Sequence, residues 1–371
     1  SNDLKGINMI GQINLQEDFK IDNTQNLNHN LNHNLNLNQN TVDYNIDYNI
    51  DLEDDDAQNT IEKLEYPDKD IVSINQFDRD QIKQLCLRAQ QFTNMVKDNI
   101  DINVLKNKTF ILMFYEASTR TRLSFESAIK KMGGNVINMT PSSSSIQKGE
   151  SFQDTIKTIE TYGDGIILRS PTEGLVELAS KISSVPIINA GDGAGEHPTQ
   201  ALLDVYTIRQ ERGSIYNITV TFMGDLKNGR TVHSLIQLLA MYNKIRFYYV
   251  CDKSLRLPEN MQETLTKINP TLEQYYVESL EEILPKTDVL YVTRFQKERV
   301  IGGNDLQSLY YPQLTPSLLS NAKKNLIILH PLPRNNEIDV NVDIDPRACY
   351  FRQMEYGLYM RMALLEMLYS F

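Results

Sequence analysis

The stretch from Thr109 to Gly134, TFILMFYEASTRTRLSFESAIKKMGG, limits what this chain can fold into more than any other. Thr109 to Tyr115 is an apolar run of the length and kind a buried strand needs. Leu123 to Met132 spaces its apolar residues as a helix does, and Gly133 and Gly134 stop it. Ser118 to Arg122, S-T-R-T-R, therefore stands where a strand hands over to the first turn of a helix. Free backbone N–H groups and the positive end of the helix dipole gather at such a junction and favour an anion. Three hydroxyls and two guanidinium groups in five residues add donors, and the arginine fork suits phosphate or carboxylate. The bland alternative is an ordinary helix start with a Ser or Thr cap and solvated arginines.

The same alternation continues. Asp78 is placed to cap a helix whose stripe is Ile82, Leu85, Ala89, Phe92 and Val96, ending near Asn99. Strands are expected at Asn135–Met139, Gly165–Leu168 and Val185–Asn189, with a helix over Glu150–Tyr162 and a polar loop over Pro141–Gly149. A helix over Pro198–Arg212 has proline at its favoured first position. Beyond it come strands at Ile218–Met223, Ile245–Cys251, Val289–Val292 and Leu326–Leu329, and a helix over Thr231–Tyr242. The final stretch, Met354–Leu368, reads as an amphipathic helix returning to the first one. The expectation is α/β: two doubly wound parallel-sheet domains linked by a long helix. Boundaries are set at a leader over 1–70, a first domain over 71–207, a second over 208–350, and a C-terminal helix over 351–371.

Composition narrows the function. Three widely spaced cysteines, Cys86, Cys251 and Cys349, argue against a disulfide framework or a zinc site and for a reducing compartment, here the cytoplasm. No apolar run is long enough to span a bilayer, and no basic leader with a cleavage pattern is visible. Of 48 acidic and 37 basic residues, 15 and 4 lie in the first 70, which alone accounts for the net charge of −11. The remaining 301 residues are neutral overall, so any basic site is a local construction and no nucleic-acid-binding surface is indicated. The leader is Asn-rich and then acidic, with too little apolar mass to offset ordering entropy, and is read as disordered. Its His29 and His33 lack companion metal ligands.

Ligands of open parallel sheets bind at the carboxyl ends of the strands. The unusual polar residues cluster at those ends: Ser118–Arg122, Arg169, Glu196–Gln200, Asp225–Arg230, Arg294–Lys297 and His330–Arg334. Neither G-x-G-x-x-G nor a P-loop is present. S-T-R-T-R, Q-K-G-E at Gln147–Glu150, L-R-S-P around Arg169 and E-H-P-T-Q at Glu196–Gln200 resemble the carbamoyl-phosphate half of the transcarbamylases. G-D-L-K-N-G-R-T-V-H-S at Gly224–Ser234, T-R-F-Q-K-E-R at Thr293–Arg299 and H-P-L-P-R at His330–Arg334 are similar to the aspartate-specific half. From about Ile71 onward the chain resembles the aspartate carbamoyltransferase catalytic chains; its leader has no counterpart there.

That resemblance implies a carbamoyl-phosphate domain followed by an aspartate domain, and transfer of a carbamoyl group from carbamoyl phosphate to L-aspartate in pyrimidine synthesis, with no metal or cofactor. By the family pattern Ser118, Thr119, Arg120 and Thr121 cradle phosphate, and Arg169 bridges phosphate and carbonyl. Thr121, Arg169 and His197 donate to the carbonyl oxygen; Gln200 and the carbonyls of Pro331 and Leu332 hold the carbamoyl NH₂. Arg230 and Arg294 clamp the aspartate carboxylates, with Gln296 nearby. Ser144 and Lys148 enter the neighbouring subunit's site, which implies a homotrimer with shared active sites. Without these motifs, His197, Arg230 and Arg294 would read as structural or surface residues, and His233 and Glu150 read equally as scaffold or site. The alternatives are an ornithine carbamoyltransferase, whose H-C-L-P is H-P-L-P here, and a non-catalytic anion-binding scaffold.

Overall fold

The computed structural model describes residues 66, 68–140, 148–294 and 311–369. The leader over 1–65, with His29 and His33, lies outside them, as do Ser144, Gln147, Gln296 and Lys297. Two parallel sheets follow one another along the chain. The first has the order β2-β1-β3-β4, from β1 (Thr109–Phe114), β2 (Asn135–Met139), β3 (Gly165–Ser170) and β4 (Ile187–Asp192). The second has the order β7-β6-β5-β8-β9, from β5 (Thr219–Met223), β6 (Arg246–Val250), β7 (Glu273–Tyr276), β8 (Val289–Val292) and β9 (Ile327–Leu329). Every described strand pair is parallel, so crossovers must cover the sheet faces and strands buried on both sides read as continuous apolar runs.

The helices are α1 (Arg79–Lys97), which precedes β1, the crossovers α2 (Thr119–Lys131), α3 (Phe152–Ile159), α4 (Leu175–Ile182), α6 (Arg230–Ala240) and α7 (Glu259–Ile268), and α5 (Pro198–Arg212), which links the two sheets. Two single turns, α8 (Leu280–Ile283) and α9 (Pro316–Leu319), precede the last helix, α10 (Tyr350–Tyr369). Asp78 caps α1 as its sequence announces, accepting from the Gln81 N–H at 2.8 Å in a full capping box. Strand β7 was not expected: E-Q-Y-Y alternates in exposure on a sheet edge and carries no apolar run.

Helices α5 and α10 join the two sheets. Leu202, Val205 and Tyr206 of α5, and Met360, Leu364 and Leu365 of α10, belong to one hydrophobic core that runs from Phe110 and Ile188 to Val220 and Tyr291. Two smaller clusters seal the outer faces, one around Ile111, Ile166 and Val176, the other around Met223, Leu290 and Ile328. The expectation of an amphipathic C-terminal helix needs correction. Met360 to Leu365 is buried without a break, because α10 is wedged against α1, α2 and α5. It does return to α1, where Glu366 pairs with Arg88, whose guanidinium also lies 4.6 Å above the Phe92 ring. Tyr162, expected in packing, is 66% exposed, whereas Tyr206 and Tyr242 are buried.

Among the described residues no helix is long and apolar enough to cross a membrane. Since α10 is held by apolar contact on several sides, a cavity at its centre cannot be refilled cheaply. We predict that Leu364→Ala lowers the unfolding free energy by about 2–5 kcal/mol, read from urea denaturation midpoints; a loss below about 1 kcal/mol would mean the helix is not so wedged.

Candidate active site

A cleft of about 910 Å³ opens at the carboxyl ends of both sheets. Three helices point their first turns into it. Ser118 to Thr121 belong to the start of α2, His197 and Gln200 to that of α5, and Arg230 and Thr231 to that of α6; all line the cleft. None of the three N-caps, Ser118, His197 or Gly229, makes a side-chain capping hydrogen bond, so the first-turn N–H groups are not spent on a cap. Three positive dipole ends on one cavity make a strongly anion-seeking space.

Cations reinforce it. Arg120, Arg169, Arg230, Arg294 and Arg361 line the cleft. Arg120 is pulled below the ordinary guanidinium pKa by burial and then by Arg294, which records how closely two positive groups face one another here. The crowding is relieved by Glu116. Its Oε2 takes Arg169 Nη2 at 2.7 Å and Arg230 Nη2 at 3.1 Å, joining an arginine of the first sheet to one at the start of α6. Arg169 also donates to the Ala190 carbonyl at 3.0 Å, and Arg230 donates to that of Gly193. Gly191 permits this approach: with φ at +124°, a Cβ there would sit 2.9 Å from Arg169 Nη1.

His197 is buried, and burial followed by Arg169, Arg230 and Arg361 holds its pKa well below the usual imidazole value. It is a neutral ring, with Nε2 3.5 Å from Thr121 Oγ1. On the far wall His330 is also neutral, because burial outweighs Glu337. Its Nδ1 accepts the Leu332 N–H at 2.7 Å, so Nε2 is the donor to Glu337, 2.8 Å away. That bond shapes the Pro331–Leu332 turn, where Leu332 has φ of +53° and the Leu332–Pro333 peptide is cis. The floor contains Asp204, fully buried and accepting from Gln200, Gln353 and Tyr291. Burial raises its carboxyl to about 7, while Arg361 nearby is pushed down to about 9 by the same cause. Among the described residues no cluster of His, Cys, Asp and Glu could hold a metal ion.

The sequence itself matches known families over most of its length. The model for the carbamoyl-P binding domain of aspartate/ornithine carbamoyltransferases covers residues 69–210, and that for their Asp/Orn binding domain covers 216–368. The chain belongs to the aspartate/ornithine carbamoyltransferase family. It is 46% identical to the aspartate carbamoyltransferase catalytic subunit of Methanocaldococcus jannaschii over 301 residues, covering 81% of this chain and 97% of that one. It is 48% identical over 296 residues to the multifunctional protein CAD of Squalus acanthias, covering 80% of this chain but only 13% of that protein. The aspartate transcarbamoylase of Trypanosoma cruzi, in complex with carbamoyl phosphate and aspartate, aligns with a TM-score of 0.78 at 41% identity, over 80% of this chain and 96% of that one.

Against the family pattern, the cleft gathers Ser118, Thr119, Arg120, Thr121, Arg169, His197, Gln200, Arg230, Arg294, Pro331 and Leu332. Lys148 is exposed and does not line this chain's own cleft; Ser144 and Gln296 lie outside the described residues. Arg122 needs correction as an anion donor: it turns outward to Glu126 at 3.8 Å and Asn138 at 3.4 Å, since successive helical positions point about 100° apart. Arg334 is likewise engaged by Asp343, and His233 by the Leu226 carbonyl at 2.8 Å. Three residues were missed. Glu116 sits two places before the motif, where an acid within a cationic site is a usable signal; Asp204 and Arg361 looked like unremarkable polar positions in helices.

The pKa of Asp204 sets a pH dependence for stability. Its folded form keeps a proton that the unfolded chain releases above about pH 4. This contribution is therefore fullest at low pH and is given up as pH rises to about 7, at no more than about 1.4 kcal/mol per pH unit. We predict that Asp204→Asn, which cannot titrate, loses that slope. Urea midpoints should place the variant further below the wild type at pH 5 than at pH 8, and parallel curves would contradict the assignment.

Proposed function

We propose that this chain transfers the carbamoyl group of carbamoyl phosphate to the α-amino group of L-aspartate, giving N-carbamoyl-L-aspartate and phosphate in pyrimidine synthesis. The observation that carries the reading is the convergence of three helix N-termini and five arginines on one cleft between two parallel sheets. Residues 71–207 form the carbamoyl-phosphate domain and 208–350 the aspartate domain, with 351–371 returning to the first. Ser118 to Thr121 and Arg169 hold the phosphate; Arg230 and Arg294, with Gln296, hold the two carboxylates. Two guanidinium groups suit an acceptor with a second carboxylate, which favours aspartate over ornithine.

In the reaction the aspartate nitrogen attacks the carbonyl carbon, the C=O pair moves to oxygen, and the C–O bond to phosphate then breaks. Thr121, Arg169 and His197 donate to the oxygen as its charge grows, and neutral His197 does so through one ring N–H. A ring held far below its ordinary pKa is a poor base, so the ammonium proton passes to the departing phosphate. Alignment of the amine about 3 Å from the carbonyl, with its freedom already lost, contributes much of the acceleration. Lys148 stands away from this chain's own cleft, which supports its use, with Ser144, in a neighbouring site of a homotrimer. Three free cysteines support a reducing, cytoplasmic setting.

Two predictions follow from this chemistry. Carbamoyl-aspartate should form with aspartate and no carbamoyl-ornithine with ornithine, and His197→Ala should lower kcat by about 10²–10³; turnover with ornithine alone, or none with either, would refute the reading. Lys148→Ala and His197→Ala chains, each nearly inactive, should regain activity when mixed into hybrid oligomers. No recovery despite exchange confirmed by native mass spectrometry would remove the shared site.

A further inference from the structure

Beneath the cleft lies a carboxylate that the transfer chemistry does not use. Asp204 Oδ1 accepts from Gln200 Nε2 at 2.8 Å and from Gln353 Nε2 at 2.6 Å, and Oδ2 accepts from the Tyr291 hydroxyl at 2.8 Å. The three donors come from α5, α10 and β8, so the two helices that join the sheets and a strand of the second sheet meet on one acid. All four side chains are buried, and the nearby charge is Arg361 of α10.

Oδ1 receives both amide NH₂ groups and stays an acceptor whether or not the carboxyl carries a proton, since a proton can sit only on Oδ2 facing Tyr291, whereas an amide can present either of its ends. Asp204 therefore fixes the polarity of both glutamines. With its NH₂ turned down to Asp204, Gln200 has only its carbonyl oxygen to offer the cleft it lines. Gln353, turned the same way, accepts the His330 N–H through Oε1 at 3.0 Å, which anchors the turn bearing Pro331 and Leu332. A carbamoyl NH₂ is a double donor and needs carbonyl oxygens. Both limbs from Asp204 end on such oxygens.

We infer that Asp204 is a positioning residue for carbamoyl transfer, orienting Gln200 directly, and the Pro331–Leu332 carbonyls through Gln353, to receive the substrate's NH₂. The inference rests on the transfer reading above. Leu at this position has no acceptor oxygen, so neither glutamine is held with its NH₂ toward it and either can turn its carbonyl away from the cleft side.

The test is steady-state kinetics of the intact protein with carbamoyl phosphate and aspartate. Asp204→Leu should lower kcat/KM for carbamoyl phosphate about 10–100-fold, the value of one or two misdirected hydrogen bonds. In a protein already carrying Gln200→Ala and Gln353→Met the same change should cost less than about threefold, because both groups it orients are gone. Tyr291→Phe, which leaves both amide bonds intact, should keep kcat/KM within about threefold while lowering the melting temperature. Gln353→Met, which keeps the acid, should lower kcat/KM about tenfold and carries the test if the Leu protein does not fold. Losses that multiply in the triple variant, or equal losses for Tyr291→Phe and Asp204→Leu, would make the cluster mere scaffold and overturn the assignment. A wild type that forms no carbamoyl-aspartate would overturn the transfer reading and this inference together. Independent losses in an active wild type would overturn only the role of Asp204.

Discussion

The structure depends on bringing positive charge together in a protein whose folded body has no net charge to spare. Three first turns and five arginines line one cleft, and each would repel the others without an acid among them. Parallel topology makes the gathering possible. Because every described strand runs the same way, the helix following each strand begins at the same edge of its sheet, and its dipole points there. Placing two such sheets so that their carboxyl ends face one cavity adds their fields. The arginines then need only short reaches from strand ends and first helical turns.

Glu116 is the local answer to the repulsion. It is one-third exposed and bonded to guanidinium groups from both sides of the cleft, so it remains a charged acceptor. An anion entering the cleft would have to compete with it for the same donors, so binding there would be an exchange of partners. The continuous core through α5 and α10 keeps the two sheets in register while this exchange takes place at the rim.

Much of this was legible in the sequence because strands buried on both faces leave continuous apolar runs, and polar residues at their ends stand out. Ser118–Thr121 and Arg169 stood out in that way, His197, Gln200, Arg230 and Arg294 needed their flanking motifs as well, and the cleft collects them. What escaped reading depends on tertiary neighbours. Arg122 carries the same side chain as Arg120 two places away, yet helical geometry sends it to Glu126. Arg361 was hidden in a stretch that reads as an amphipathic helix, although burial on several sides makes it part of the cleft wall, with its guanidinium 4.9 Å from the Phe125 ring and bonded to Thr199. Strand β7 lacks an apolar pattern because only one of its edges is covered. Lys148 was found through resemblance alone, and nothing in this chain's own cleft would have singled it out.

Two carboxylates thus serve one cleft from different depths, and burial decides what each can do. At the rim, Glu116 meets solvent and two arginines, so it can release either partner without leaving a bare charge in an apolar medium. At the floor, Asp204 has no such freedom. Removing any donor would leave a buried acceptor unsatisfied, at about 1–3 kcal/mol, so its partners are locked in place. Burial raises its carboxyl to about 7, and hydrogen bonds from Gln353, Tyr291 and Gln200, together with the charge of Arg361, keep it from rising further. A group so costly to ionise is a poor choice for stability alone, since apolar residues of similar volume would hold α5, α10 and β8 together at least as well. What an apolar contact cannot do is distinguish the two ends of an amide. Directionality, rather than cohesion, is the physical reason for an acid at this position.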